Sequence, residues 1–167
     1  MRREIAAAAL AAGLALGLQG PAAAQEMVDF QVMEPGLALD LAEATMTACQ
    51  EEGYQVAVAV VDRFGQTQAL LRDRFAGPHT IDTSMAKAWT AVSFRTATLE
   101  LDGMIKSGEL TESLRDVPGA LMLGGGVPVM AGPSIVGGVG VSGAPNPGLD
   151  EDCAEAGIDA ILDRLPL

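Results

Sequence analysis

Tyr54-Gln55-Val56-Ala57-Val58-Ala59-Val60-Val61-Asp62-Arg63-Phe64-Gly65-Gln66-Thr67-Gln68-Ala69-Leu70-Leu71-Arg72 is the stretch whose reading decides the fold. Tyr54 to Val61 is a near-continuous apolar run with four valines, the pattern of a strand covered on both faces. Asp62 to Gly65 then reads as a tight turn, because Asp folds back on its own backbone and Gly supplies the positive φ that closes a hairpin. The returning strand runs from about Thr67 to Arg72.

Upstream of this hairpin, Leu37, Leu41, Ala44, Ala48 and Cys49 recur at helical spacing, with Asp40, Glu43, Gln50 and Glu51 off that face, and Gly53 stops the helix. Residues 25–36 hold Pro35-Gly36 and no sustained period, so they read as an irregular arm. Downstream, Ile81, Met85, Ala88, Trp89 and Val92 predict a second helix capped by Thr80 or Asp82. Thr98 to Ser107 predicts a third, ended by Gly108, although Gly103 inside it costs about 1 kcal/mol relative to Ala. Three extended pieces follow at Ala120–Leu123, Val127–Met130 and Ile135–Ser142. Asn146-Pro147 opens the last helix, with Leu149, Cys153, Ala156, Ala160 and Ile161 as its inward stripe. Grouped strands rather than alternating βα units predict an α+β fold: one domain over residues 37–167, with a five-stranded antiparallel sheet covered by helices on both faces.

The first 24 residues read as a signal peptide. Arg2 and Arg3 precede an apolar run from Ile5 to Leu18, and Ala22-Ala23-Ala24 offers a small-residue cleavage site. The run is shorter than the roughly 20 residues needed to span a bilayer, so a periplasmic or secreted protein with no membrane insertion after cleavage is expected. Removing Arg2, Arg3 and Glu4 with the leader takes the formal charge from −12 to −13. Such a surface excludes nucleic acid and anionic lipid as partners. The exported compartment permits a bridge between Cys49 and Cys153, which can meet if the first and last helices share one face; two buried small hydrophobes are the alternative.

The chain resembles the GlcG/HbpS family, and named residues carry the likeness. They are Asp82-Thr83-Ser84-Met85-Ala86-Lys87-Ala88-Trp89-Thr90-Ala91-Val92-Ser93-Phe94, then Gly124-Gly125-Gly126-Val127-Pro128-Val129, then Ile135-Val136-Gly137-Gly138-Val139-Gly140-Val141-Ser142-Gly143. Ala57 to Gly65 matches the family's first hairpin, so the likeness spans about Leu37 to Leu165. It implies a profilin-like layered fold, homo-oligomers and, in several members, noncovalent haem binding. One departure is Ala97, where members often carry proline in Phe-x-x-Pro-Thr; its loss predicts a softer helix break. Haem ligands vary within the family, so none transfers by motif.

From the residues themselves, His79 is the first candidate for a metal ligand, because it is the only histidine and neutral imidazole binds haem iron well. The bland reading is a solvated loop side chain. Its single occurrence excludes a bis-histidine site within one chain, and the lack of Cys-x-x-Cys-His excludes covalent haem attachment. Met85, Met104, Met122 and Met130 are alternative soft ligands or core fillers. Tyr54 supplies a phenol that either ligates or packs. Lys87, flanked by Ala86, Ala88 and Trp89, must snorkel outward or meet an anion, either a haem propionate or Asp82. Arg72, Arg74 and Arg95 are further propionate partners.

Gly138-Val139-Gly140-Val141-Ser142-Gly143 fits Gly-x-Gly-x-x-Gly, but it lies on the last strand rather than opening a βαβ unit, so the glycines read as permitting close backbone packing. With one histidine and no nucleophile elbow, hydrolytic chemistry has few ways to assemble. Asp150-Glu151-Asp152 at a helix start favours the helix dipole. The expected function is therefore binding of haem or another small molecule, ahead of an enzyme acting on haem or a small oxidised metabolite, and ahead of a ligand-free oligomeric interaction module.

Overall fold

The computed structural model describes residues 28–166. The signal peptide and the start of the arm lie outside the described residues. The larger compact unit begins at Gln31. Its elements are α1 (Pro35–Glu51), β1 (Ala57–Asp62), β2 (Thr67–Arg72), α2 (Thr80–Phe94), α3 (Thr98–Ser107), β3 (Gly126–Ala131), β4 (Ser134–Ser142) and α4 (Pro147–Asp159), with 3-10 turns at Glu112–Asp116 and Leu162–Arg164.

The fold is α+β, with one fully antiparallel sheet in the order β2-β1-β4-β3. It has four strands, not the expected five. Ala120–Leu123 is the missing one, because its backbone is satisfied by local turns and side chains instead of a ladder: Ala120 N–H reaches the Val117 carbonyl and Leu123 N–H the Leu121 carbonyl. Leu121 N–H donates to Thr90 Oγ1, the Met122 carbonyl accepts from Arg115, and the Leu123 carbonyl accepts from Thr98 Oγ1. Met122 is buried with Leu101 and Ile105 against α3. Helix α1 also begins at Pro35 rather than Leu37. Proline at the first helical positions forfeits only an N–H that has no helical partner there, and Ala38 N–H already reaches the Glu34 carbonyl at 3.0 Å.

Strand alternation assigns the two faces. Val58, Val60, Val139 and Val141 pack with Leu41, Cys49, Cys153 and Ala154 of α1 and α4. Val61 and Ile135 pack with Ala88 and Val92 of α2 on the other side. Helix α2 lies directly on a floor of glycines. A Cβ on Gly140 would overlap the Ser84 carbonyl oxygen and stand 2.6 Å from Ala88 N; one on Gly126 would overlap the Lys87 carbonyl, and one on Gly138 would reach Val92 at 2.7 Å. Close packing is thus what these glycines permit. The outer strands are β2 and β3, and β3 carries Pro128.

The α2–α3 break is sharp even without a proline. Arg95 takes the left-handed conformation at φ 56°, its N–H bonds the Ala91 carbonyl, and Ala97 is extended before Thr98 starts α3. Beneath the opposite face, α1 and α4 lie together, joined by a disulfide between Cys49 and Cys153 whose Cα atoms are 5.3 Å apart across 104 residues of sequence.

Gly140→Ala forces backbone against backbone and is expected to cost about 1–3 kcal/mol in urea unfolding, whereas Gly103→Ala, with open space around it in α3, should gain about 0.5–1 kcal/mol. Replacing both cysteines by serine should lower stability by about 2–5 kcal/mol, and the intact mass of the unreduced wild type should lack two hydrogens relative to the reduced chain.

Candidate functional site

Thr80, Thr83 and Lys87 stand at i, i+3 and i+7 on α2 and so share one face. That face looks across a cleft of about 570 Å³ at the Ser142–Pro147 loop, which leaves β4 and enters α4; Tyr54, Phe75, His79 and Leu123 complete the walls. The volume lies in the range of small-molecule and cofactor sites. His79 is exposed at the mouth, immediately before α2, with its ring lying over Gly77, where a Cβ would stand 2.7 Å from Cε1. Tyr54 is half-buried, its N–H donating to the Cys49 carbonyl at 2.9 Å.

Of the side chains singled out in the sequence, the fold gathers Tyr54, His79 and Lys87 in this cleft. Arg74 is exposed beside it, its guanidinium 5.7 Å from the centre of the Phe75 ring. Met85 lies elsewhere, in a shallow recess of about 440 Å³ with Val61, Trp89 and Pro118. Arg95 caps the far end of α2, roughly 24 Å along the helix from His79 at 1.5 Å per residue. Among the other methionines, Met122 belongs to the α3 core and Met130 is exposed.

Lys87 is fully buried, and the side-chain anion it meets is Asp150, not Asp82, which is exposed. Its Nζ stands 2.7 Å from Asp150 Oδ2 and donates to the Val141 carbonyl at 2.9 Å. The other carboxylate oxygen of Asp150 accepts from Ala144 N–H at 2.9 Å. Beside it, Glu151 Oε2 accepts from Gly125 N–H at 3.0 Å and Leu99 N–H at 3.1 Å. Thr98 Oγ1 accepts from Gly126 N–H at 2.8 Å. The acids at the start of α4 therefore do more than meet the helix dipole: they hold the Gly124–Gly126 turn and the Ser142–Pro147 loop. Burial pushes the Asp150 and Glu151 carboxyls up and the Lys87 ammonium down, against the mutual attraction of the pair.

Sequence reading missed Asp150, Glu151, Thr90 and Thr98. The available signal was Lys87 itself, a cation in an apolar helix face that requires a partner. Among the described residues no three His, Cys, Asp or Glu side chains converge as a metal site, and no helix is long and apolar enough to cross a membrane.

Because a buried ion pair costs most when one partner is removed, Lys87→Met or Asp150→Leu alone should destabilise the fold by about 3–5 kcal/mol. The double variant Lys87→Met/Asp150→Leu should recover most of that loss in thermal and urea unfolding.

Fold and cleft together define a small α+β domain with a ligand-sized cleft between one helix and one loop. A family model described as haem degrading protein HbpS-like matches residues 34–159, and the chain belongs to this HbpS-like family. A crystal structure of HbpS superposes with a TM-score of 0.77 at 39% identity, covering 81% of this chain and 94% of that one. A crystal structure of a PduOC:haem complex superposes with a TM-score of 0.72 at 28% identity, covering 78% and 95%. Protein GlcG of Escherichia coli K12 is 35% identical over 110 residues, 64% of this chain and 81% of that protein. The resemblance read from the α2 motif and the glycine-rich strands is the relationship these comparisons show.

Proposed function

We propose that this protein binds haem noncovalently in the cleft between α2 and the Ser142–Pro147 loop, with His79 as the iron ligand. The observation that carries the reading is the placement of the chain's single imidazole at the mouth of a 570 Å³ cleft beside Phe75, Leu123, Pro145 and Pro147. That donor set fits haem: one imidazole for the iron and flat apolar groups for the macrocycle. Arg74, exposed and lying over the cleft-lining Phe75, is the propionate partner. Lys87 is committed to Asp150, and Arg95 is at the wrong end of α2. If haem is bound there, His79 would hold the iron and the group would supply iron-centred chemistry to the site.

Storage, transport or sensing of haem follows from this reading. The layering of sheet and helices is read as profilin-like. The leader over residues 1–24 supports export to the periplasm or beyond, where the Cys49–Cys153 disulfide persists. Assembly into a homo-oligomer belongs to the same reading, supported by an apolar groove of about 650 Å³ lined by Val32, Leu37, Leu39 and Leu165. The family's description as haem degrading supports one alternative, turnover of the bound haem.

Haemin titration of the purified mature protein tests the reading. A saturable Soret shift at one haem per chain or per subunit pair is expected, lost in His79→Ala and retained in Met85→Ala and Arg95→Ala. Arg74→Ala should weaken binding severalfold, as expected for one charge-assisted contact. No shift in the wild type removes haem as the ligand, and a Soret band that decays under reductant and oxygen moves the reading from binding to degradation.

A further inference from the structure

We propose that the Lys87–Asp150 pair is a positioning device for ligand binding: a buried strut that fixes the distance between the α2 wall of the cleft and its Gly143–Asn146 lip. The inference rests on the cleft being the ligand site.

Lys87 grows from the helix that carries the Thr80 and Thr83 wall and places His79 at its start. Its ammonium ends on the other side of the cleft floor, on Asp150 Oδ2 and the Val141 carbonyl. Asp150 passes the connection onward, because Oδ1 takes the Ala144 N–H at 2.9 Å. One carboxylate therefore holds a helix with one oxygen and the lip with the other. The strut has little room to give: a Cβ on Gly125 would stand 2.7 Å from Asp150 Cβ and 2.9 Å from Lys87 Nζ, and a Cβ on Gly143, at φ 138°, would stand 2.5 Å from the Gln55 carbonyl oxygen. Asn146 then takes Gly148 and Leu149 N–H on its side chain and fixes where the lip becomes α4. The lip has no strand partner of its own beyond Ser142, so its conformation depends on these side-chain contacts.

Two neutral replacements separate this role from general stability. Lys87→Met/Asp150→Asn keeps an amide oxygen for Ala144 N–H, whereas Lys87→Met/Asp150→Leu removes the acceptor. Both are measured by thermal unfolding, by NMR hydrogen exchange at the Ala144 amide and by haemin affinity. With the α2 end of the strut cut in both, haemin affinity should fall about tenfold in each at matched stability, as expected for a lost hydrogen bond to a charged group. The Asn variant should keep Ala144 protection within about threefold of wild type, and the Leu variant should lose about tenfold of it. Haemin affinity within about threefold of wild type in either variant overturns the proposal, as does unchanged Ala144 exchange in the Leu variant. If the wild type binds no haemin, the haem reading falls, and the strut stands or falls on Ala144 exchange alone.

Discussion

The rest of the structure depends on how closely α2 approaches the sheet. Glycine at 126, 138 and 140 lets the helix backbone rest on strand backbone, which side chains at those positions would forbid. That contact drives Lys87 beneath the helix, where water cannot reach it, and so creates the demand for Asp150. It also sets where α2 begins, and hence where His79 stands relative to the loop leaving β4. The hydrophobic clusters on the two faces supply the general driving force for folding. The glycine floor supplies the dimension within which the cleft is built.

On the other face the constraint is different in kind. The Cys49–Cys153 bridge ties the two helices that enclose the larger core, and the neighbouring contact between Thr45 and Gly157 brings their backbones close. Tyr54 follows directly from the end of α1 and bonds the Cys49 carbonyl, so this wall of the cleft is fixed by the covalently clamped layer. The two faces meet in α4, whose first turn carries Asp150 and Glu151 into the α2 side while its later residues carry Cys153 and Ala154 into the α1 side.

Much of this fold was legible in the sequence because its signals are local. The β1–β2 hairpin announces itself by its valines and by Asp62 and Gly65, and the capped start of α4 by Asn146-Pro147. Ala120–Leu123 misled for a physical reason: a short apolar run looks like a strand, but the Thr98 and Thr90 hydroxyls that help replace its ladder come from elements 25 and 31 residues away. Pro35-Gly36 read as a break because Gly36 is a poor helix former, yet Pro35 fits the first turn. At the site, Lys87 could be seen to need an anion. Its partner is 63 residues further on, in a run of acids whose position at a helix start already explains them without any burial. His79, Tyr54 and the lip share no periodicity, and only the sheet topology brings them to one place.

Pro128 in β3 bears on what the open edge of the sheet can accept. An outer strand ordinarily presents a row of backbone groups to which any other strand can add, whatever its side chains. Proline withholds a donor there, which disfavours open-ended growth along that edge. A strand added at that edge would forgo a ladder hydrogen bond at Pro128, so side chains weigh more heavily in deciding what the edge accepts, and single substitutions there can change it.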